Sequence, residues 1–419
     1  LFRYKREGNV MCGIAGIIDA SNTNLKSSID YMRDVMAYRG PDGYGSVVFP
    51  QAGVALGHRR LSLLDLSEMG AQPMSYKNGN LVITYNGEVY NFIEIRSELE
   101  KMGYIFKSNT DTEVILAAYD KWGTACLEKF NGMFAFAIWD QIKKELFLAR
   151  DRLGIKPLYY LIHNDLFIFA SEIKAILTYL KDKPEINKRA VDVYMSFGYV
   201  PGENTMFKDI KRLLPGHYIV RKEDGSVVKR NYWDFYFENT MDKGIDYYLS
   251  KLKSLLNHAI DLRLRSDVPL GIFLSGGLDS SAVVAMLAPR VSENLKTFSI
   301  AYDFGSDFNE TDYARMIARQ FNTEHHEFIV SPSQFKDFIP DYVWHMDEPV
   351  TESAAISLYY ISKMAKSFVT VVVSGEGSDE LFAGYDFYYY NKIIEIYRRV
   401  IGSKGAAILG EKISPFFQN

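Results

Sequence analysis

Cysteine is scarce in this 419-residue chain, which contains only Cys12 and Cys126. Two cysteines exclude a disulfide framework, and we predict a reducing compartment, the cytoplasm. Long apolar runs are also lacking, since none approaches the ~18 residues that a membrane-spanning helix needs. A few basic residues precede the apolar run 12–18, but Asp19 ends that run and no small-residue cleavage site follows. This pattern argues against a signal peptide, and we expect no membrane partner.

Long basic runs are lacking as well. The chain has 48 Lys and Arg against 52 Asp and Glu, which gives a formal net charge of −4. This balance gives little support to nucleic acid as a partner. The 29 Tyr and 27 Phe are more typical of well-filled cores than of base-stacking surfaces. With 47% hydrophobic residues, the composition is that of a globular protein, and the length allows two or three domains.

The first half of the chain has the pattern of short strands broken by Gly, Asn and Asp turns, with helical periodicity in places. We predict strands at 53–56, 81–85, 133–139, 145–150 and 166–170, and helices at 24–37, 92–102 and 113–122. Strands that follow strands, with helices outside them, predict an α+β layered domain over residues 12–200. Residues 201–240 contain Pro-Gly and Asp-Gly turns, and we predict that they form the linker between domains.

The second half, residues 241–419, alternates helices with continuous apolar strands. We predict helices at 247–265, 280–287 and 310–321, and strands at 270–274, 297–301, 326–330 and 368–373. Such alternation predicts a buried parallel sheet and therefore an α/β domain.

A glycine-rich loop, Ser275-Gly276-Gly277, follows the first of these predicted strands and opens a helix. Glycines let the backbone approach an anion closely, and the free N–H groups of a helix start point at it, so the loop predicts a pyrophosphate site. The Gly-Lys-Ser/Thr of a Walker motif is absent, so a standard P-loop is excluded. The alternative is a plain Gly-Gly turn with Asp279 as a helix cap.

A second loop, residues 375–380, also follows a buried strand. In a parallel sheet both loops lie at the carboxyl edge, where ligands bind. Asp279 and Asp379 would then face one crevice beside the phosphates. Mg²⁺ prefers oxygen ligands of this kind, so the pair predicts a magnesium site.

Near the other end of the chain, Met11 precedes Cys12. We interpret residues 1–11 as an extension or initiator segment, with translation starting at Met11 and Cys12 as the first mature residue. A terminal Cys12 could use its own α-amine, which titrates near ~8, as the base for its thiol. The alternative for Cys12 is a small buried hydrophobic residue.

A thiol that attacks an amide needs partners for the developing charge and for the substrate. Asn86-Gly87, predicted at a strand end, could supply oxyanion donors. Arg60 suits the α-carboxylate of an amino acid, and Asp111 and Glu88 suit its ammonium group. The alternatives are a hairpin turn for Asn86-Gly87 and solvated surface charges for Arg60 and Asp111.

Ten motifs in order give the chain a resemblance to a known family, the glutamine-dependent asparagine synthetases. These enzymes fuse a class II amidotransferase domain to a synthetase domain. The motifs are 11–16 (MCGIAG), 39–43 (RGPDG), 58–62 (HRRLS), 85–91 (YNGEVYN), 110–115 (TDTEVI), 149–159 (ARDRLGIKPLY), 171–174 (SEIK), 214–218 (LPGHY), 275–281 (SGGLDSS) and 374–380 (SGEGSDE).

For the first half, the resemblance implies an N-terminal nucleophile hydrolase sandwich of αββα type. By analogy, Cys12 attacks the side-chain amide of glutamine, and Asn86 and Gly87 form the oxyanion hole. Arg60 resembles the carboxylate clamp, because the family's Arg precedes Leu-Ser. The glutamine-binding residues implied are Arg60, Leu61, Ser62, Leu63, Leu64, Asn86, Gly87, Glu88 and Asp111.

For the second half, the resemblance implies an ATP pyrophosphatase fold, that is, an adenine-nucleotide α-hydrolase-like domain. The ATP-binding residues implied are Leu274, Ser275, Gly276, Gly277, Asp279, Ser280, Ile300, Ser374 and Gly375. Asp279 and Asp379 would bind Mg²⁺, and Glu376 would be the general base near incoming ammonia. The family also suggests a homodimer. Because the chain stops at Asn419, we expect a synthetase domain that lacks its C-terminal part.

The function expected from this resemblance is ATP-dependent amidation of aspartate to asparagine through β-aspartyl-AMP, with ammonia from glutamine and release of AMP and pyrophosphate. Ammonia is mostly protonated at neutral pH, so a dry apolar channel between the halves is also expected. Relatives that amidate another carboxylate, in cell-surface sugar or peptide pathways, remain an alternative, as does a non-catalytic relative. Asp347, Glu348, Pro349 and Glu352 lie where the acceptor site is expected, while Glu376 favours asparagine synthesis.

Overall fold

The structure is a computed structural model that describes residues 11–237, 241–291, 294–303, 310–352 and 354–413. Residues 1–10 of the expected extension and residues 238–240 of the expected linker lie outside the described residues.

The first domain contains twelve strands and six α-helices. The strands are β1 Gly13–Ile18, β2 Gly43–Phe49, β3 Val54–Arg60, β4 Met74–Tyr76, β5 Leu81–Val89, β6 Gly132–Asp140, β7 Glu145–Arg150, β8 Tyr159–His163, β9 Leu166–Ala170, β10 Ile210–Arg212, β11 His217–Arg221 and β12 Val227–Asn231. The helices are α1 Leu25–Asp34, α2 Phe92–Lys101, α3 Asp111–Trp122, α4 Cys126–Lys129, α5 Ile173–Tyr179 and α6 Lys188–Phe197.

These strands form two six-stranded antiparallel sheets, in the orders β10-β8-β9-β1-β3-β2 and β12-β11-β7-β6-β5-β4. Apolar side chains of the two inner faces, such as Leu56 and Leu148, pack into a common core. The outer face of one sheet packs on α2 and α3, and that of the other packs on α1 and α5. The predicted αββα sandwich is confirmed.

The linker prediction is wrong for much of its length. β10 pairs with β8, β11 pairs with β7, and β12 pairs with β11, so residues 210–231 complete both sheets of the first domain. The Pro-Gly and Asp-Gly turns in this stretch connect strands rather than domains, because a turn composition by itself does not distinguish the two situations.

The second domain contains a four-stranded parallel sheet in the order β15-β14-β13-β16. Its strands are β13 Leu270–Phe273, β14 Lys296–Tyr302, β15 Glu324–Val330 and β16 Val371–Val373. Its helices are α7 Ile245–Arg263, α8 Leu278–Leu287, α9 Thr311–Gln320, α10 Pro332–Met346, α11 Ala354–Ala365, α12 Ser378–Phe382 and α13 Asp386–Ile413. The predicted α/β parallel sheet is confirmed. Within the described part of the chain, no helix is both long and apolar enough to cross a membrane.

Polar contacts join the two domains beside the end of α7. Arg265 makes a bidentate ion pair with Glu94 on α2, at 2.7 and 2.5 Å, and also donates to the Tyr90 carbonyl at 2.7 Å. Asp267 accepts from the Asp65 backbone N–H at 3.0 Å. These contacts place the start of the parallel sheet against the loop that follows β3.

We expect Leu148→Ala to lower the free energy of unfolding by about 2–5 kcal/mol, because Leu148 is fully buried between the sheets and truncation leaves a cavity. Urea denaturation of the purified protein measures this change. The control is Ile105→Ala, at a side chain that is 83% exposed, for which a change within about 0.5 kcal/mol is expected. Equal losses for the two variants would contradict the assigned core.

Candidate functional site

A cavity of about 250 Å³ lies at the first domain's edge, and Cys12 lines it. Cys12 directly precedes β1, and its sulfur accepts from the Leu61 backbone N–H at 3.3 Å. Arg39 fixes the other side of the residue, because its Nε donates to the Cys12 carbonyl at 3.0 Å. Burial raises the pKa of the Cys12 thiol above its ordinary value, so the thiol needs a base before it can attack.

Asn86 and Gly87 line the same cavity from within β5, which continues to Val89. The hairpin-turn alternative for them is therefore wrong. The Asn86 side-chain nitrogen is buried and has no hydrogen-bond partner among the described residues. A Cβ at position 87 would collide with the Met133 carbonyl on β6, so only glycine fits there. An unpaired amide donor that faces a cavity is suited to stabilise an oxyanion.

Glu88 and Asp111 supply carboxylates to this cavity. Asp111 begins α3 and accepts from the Tyr85 hydroxyl at 2.6 Å and from the Val89 N–H at 2.9 Å. Asp111 is buried, so the surface-charge alternative is wrong for it. Burial and the neighbouring Asp111 raise the pKa of Glu88 to about 7. A ligand ammonium group between these carboxylates would compensate their charge.

Arg60 also lines the cavity, with its guanidinium held by backbone carbonyls of the loop after β3. It donates to Ser67 at 3.0 Å and to Asp65 at 2.6 Å. Leu61, Leu63 and Leu64, for which glutamine binding is expected from the resemblance, also line the cavity. Ser62 does not: its N–H donates to Asp42 and it lines the neighbouring cavity between the domains, so its predicted place beside glutamine is not supported.

The polar residues of this cavity that the sequence analysis does not single out include Lys156 and Gln72. Lys156 is buried, and burial together with Arg39 lowers its pKa. Its signal in the sequence was a lysine inside the motif 149–159, which gave no hint that the residue is buried. Gln72 accepts from the Tyr85 backbone N–H at 2.7 Å.

A larger cavity, of about 1080 Å³, lies at the carboxyl edge of the parallel sheet, and we call it the nucleotide cavity after the ligand predicted for it. It is lined by most of the predicted nucleotide-site residues, namely Leu274, Ser275, Asp279, Ser280, Ile300, Ser374, Gly375, Glu376 and Asp379. Gly277 lines a smaller cavity beside it, of about 520 Å³. The structure therefore brings the two predicted loops together at one edge.

Local packing explains the glycines of these loops. Gly276 has φ +90°, and a Cβ there would lie 2.7 Å from the Ala314 nitrogen and 2.8 Å from the Tyr313 Cβ. Gly276 thus lies against α9 and is missing from the cavity wall. Ser280 at the start of α8 ties the loop down, since its Oγ donates to the Gly277 carbonyl at 3.2 Å. A Cβ at Gly375 would lie 3.0 Å from the Ser280 nitrogen, so the two loops abut.

Asp279 and Asp379 line both of these cavities, from α8 and α12 respectively. Mg²⁺ is commonly held by one or two carboxylates together with substrate phosphates. Two carboxylates beside the loop of Ser275 and Gly277, where phosphate binding is predicted, therefore fit Mg²⁺ when a nucleotide is bound.

A third cavity, of about 580 Å³, lies between the domains. Its wall is mostly apolar and includes Leu61, Leu66, Val268, Phe273, Ala365, Val369 and Val372. It shares Leu61, Thr370 and Val372 with the Cys12 cavity and Phe273 with the nucleotide cavity. The three cavities are therefore neighbours in series.

The residues expected at the acceptor site divide into two groups. Glu352 lines the nucleotide cavity. Asp347 instead pairs with Lys174 at 3.0 Å, and Glu348 pairs with Arg212 at 2.9 Å, both in the first domain. The expectation is wrong for Asp347 and Glu348, because a sequence motif does not show which neighbour a carboxylate faces.

Comparison with known sequences identifies both halves. The sequence profile of the family described as "Glutamine amidotransferase domain" matches residues 11–233, and the profile described as "Asparagine synthase" matches residues 251–414. "Asparagine synthetase [glutamine-hydrolyzing] 1" of Bacillus subtilis is 40% identical over 382 residues. The chain belongs to the glutamine-hydrolysing asparagine synthetase family. The match covers 90% of this chain but 59% of that family member.

Other similar proteins vary in name and in length. A relative in Methanocaldococcus jannaschii is 38% identical over 423 residues, 94% of this chain and 80% of its own length. "Amidase chry2" of Gibberella zeae is 28% identical over 413 residues, 92% of this chain and 61% of its own length. Among solved structures, a glutamine phosphoribosylpyrophosphate amidotransferase from B. subtilis matches with a TM-score of 0.40 and 16% identity, over 76% of this chain and 81% of that one.

The two cysteines differ in access, and alkylation tests this difference. We expect iodoacetamide to modify Cys12, which is partly exposed, and to leave the buried Cys126 unmodified in the folded protein. The rate at Cys12 is expected to rise with pH beyond 9, because burial raises its pKa. Mass spectrometry of the digested protein measures both sites, and labelling in urea is the control for Cys126. Equal labelling of both cysteines in the folded protein would refute this assignment.

Proposed function

We propose that the protein hydrolyses glutamine at Cys12 and uses the released ammonia to amidate an ATP-activated aspartate, forming asparagine. The observation that carries this proposal is the series of three cavities, in which a thiol cavity and a nucleotide-type cavity share walls with one apolar cavity. Family membership agrees with both half-reactions.

In the first half-reaction, the Cys12 sulfur attacks the side-chain carbonyl carbon of glutamine, and its proton passes to the Cys12 α-amine. The Asn86 amide, unpaired in the described part of the chain, donates to the oxyanion. Arg60 binds the glutamine carboxylate, and Glu88 and Asp111 bind its ammonium group. The protonated α-amine returns the proton to the amide nitrogen, the C–N bond breaks and ammonia leaves, and water then hydrolyses the thioester to give glutamate and the free thiol.

This chemistry requires a free α-amine at Cys12. The proposal therefore expects the active protein to begin at Cys12, which the mass of the intact active protein checks.

In the second half-reaction, the aspartate carboxylate attacks the α-phosphorus of ATP, and pyrophosphate leaves. The loop of Ser275 and Gly277 and the hydroxyl of Ser280 would hold the pyrophosphate, while Leu274 and Ile300 line the adenosine side. Asp279 and Asp379 would hold Mg²⁺, which when bound offsets the phosphate charge. Ammonia attacks the β-aspartyl-AMP carbonyl, Glu376 accepts its proton, and AMP leaves.

Strand β16 supports the passage of ammonia between the sites. Thr370, Val371 and Val372 line the Cys12 cavity, whereas Ser374 and Gly375 line the nucleotide cavity. Val372 and Ser374, the nearest residues of these two walls, are two positions apart, which is ~7 Å at ~3.3 Å per residue. The mostly apolar wall of the cavity between the domains, which also includes Asp42 and Lys366, favours neutral ammonia over ammonium, because burying an unpaired charge is costly.

Both cysteines are unpaired in the structure, which supports the proposal of a reducing compartment such as the cytoplasm.

Cys12→Ala is expected to abolish glutamine-dependent asparagine formation and to leave ammonium-dependent formation within about twofold of the wild-type rate. The reason is that the substitution removes the nucleophile without touching the nucleotide cavity. Asparagine and glutamate are measured with glutamine or ammonium chloride as nitrogen source. Cys126→Ala is the matched control and is expected to retain both activities. Loss of both activities in Cys12→Ala would contradict the division of labour.

The affinity for glutamine is expected to rise with pH. With a pKa of about 7, Glu88 is largely neutral at pH 6 and ionised at pH 8, and only its ionised form pairs with the substrate ammonium. The dissociation constant should therefore fall by up to about tenfold from pH 6 to pH 8. Calorimetry on the Cys12→Ala variant measures binding without turnover. A similar fall in the further variant Glu88→Gln would rule out Glu88 as its source.

A further inference from the structure

A buried ion cluster crosses from the second domain to the first. Lys174, in the first turn of α5, lies 2.7 Å from Glu172 and 3.0 Å from Asp347. The backbone N–H of Lys174 also donates to Asp347 at 3.3 Å. Asp347 directly follows α10 of the second domain. One buried lysine is thus shared by a carboxylate from each domain.

The cluster continues to the nucleophile. Glu172 accepts from Arg39 at 2.8 Å, and Arg39 donates through its Nε to the Cys12 carbonyl at 3.0 Å. A continuous chain of polar contacts therefore runs from Asp347 through Lys174, Glu172 and Arg39 to Cys12. Arg39, Glu172 and Lys174 are each less than 10% exposed, so water competes little for these contacts.

The charges of the cluster balance only when the domains are docked. Arg39 and Lys174 are positive, and Glu172 and Asp347 are negative. Burial alone would raise the pKa of Glu172, but Arg39 and Lys174 outweigh it and hold that pKa below its ordinary value. Burial raises the pKa of Asp347 to about 6 against the opposing effect of Lys174, so Asp347 is still ionised at pH 7.5. Removal of Asp347 would leave Lys174 without half of its compensation.

The segment that carries Asp347 also reaches the nucleotide cavity. Glu348 beside it accepts from the Met206 backbone N–H at 2.8 Å, which adds a second anchor on the first domain. A few residues further on, Glu352, Ala354 and Ala355 line the nucleotide cavity. One short segment therefore contacts the first domain at one end and the nucleotide cavity at the other.

We propose that Lys174 is a positioning residue that couples the two sites: occupancy of the nucleotide cavity shifts the segment of Asp347, and Lys174 passes this shift through Glu172 and Arg39 to Cys12. Glutamine hydrolysis is then faster when ATP and aspartate are bound. This inference rests on the proposed function. In this inference, Asp347 and Glu348 transmit a change at the nucleotide cavity to the first domain through their contacts with it.

The test compares glutamate formation with and without ATP and aspartate in the wild type and in Lys174→Met. In the wild type, ATP and aspartate together are expected to raise the rate of glutamate formation by about 5-fold or more, the lower end of the usual range for coupling between sites. Lys174→Met should lose this acceleration, while its KM for glutamine stays unchanged because no glutamine-binding residue is touched. Its ammonium-dependent asparagine formation should stay within about twofold of the wild-type rate. Lys174→Arg, which keeps the charge, should recover part of the acceleration.

The control is Glu94→Gln, which breaks a different ion pair between the domains, with Arg265, outside the cluster of Lys174. It should keep the acceleration. If Lys174→Met does not fold, Asp347→Asn tests the same path from the second domain and should show the same loss. Acceleration that persists in both variants, or is absent from the wild type, overturns the inference. A wild type that forms no glutamate under any condition refutes the proposed function instead.

Discussion

The proposed function depends on one constraint, which is that ammonia must not meet bulk water on its way between the two sites. In the proposed function, ammonia released into solution would become ammonium and lose its nucleophilic lone pair, so the two sites would have to share an interior. The docking of the domains provides this interior, because β16 belongs to the parallel sheet and yet lines the Cys12 cavity. Leu61 and Phe273, one from each domain, bound the apolar cavity between the two sites. The sandwich domain supplies one wall of this cavity, and the domain of the parallel sheet supplies the other.

Much of this organisation could be predicted from the sequence, because it is encoded in short-range patterns. β7 and β9 begin and end where alternation and turn residues predict, and the Ser275 loop lies between a strand and a helix as expected. Asn86, Gly87, Glu88 and Asp111 meet in one cavity, although nothing in their spacing alone shows that they would. Their residue types made them candidates, and a family resemblance over many motifs favoured them over the alternatives.

Long-range placement could not be predicted. The turn-rich stretch after residue 200 completes both sheets, because strand pairing depends on partners more than 40 residues away, such as Leu161 for Ile210. Asp347 and Glu348 pair with residues of the first domain, and Ser62, whose backbone N–H donates to Asp42, lines the cavity between the domains and not the Cys12 cavity. The burial of Lys156 is also a consequence of tertiary packing. In each case the sequence shows the residue type but not its contact partner, because the partner belongs to an element that is distant in sequence.

The same docking surface carries both an apolar cavity and a buried ion cluster, and these serve different ends. In the proposals made above, the apolar cavity keeps ammonia from water, whereas the cluster around Lys174 responds to the relative position of the domains. Ion pairs in such places contribute little net stability, since desolvation offsets attraction. The ion pairs around Lys174, however, connect the Cys12 carbonyl to a segment that borders the nucleotide cavity. This connection is a reason for buried charges to be present in the interface between the domains.

The most direct test of the shared interior follows nitrogen through it. The protein is supplied with ATP, aspartate, glutamine labelled with ¹⁵N in its side-chain amide, and an excess of unlabelled ammonium chloride. Mass spectrometry then gives the ¹⁵N fraction in asparagine. Transfer through the interior predicts that the label stays close to that of the glutamine amide. Dilution of the label to the proportion in bulk solution would contradict the account.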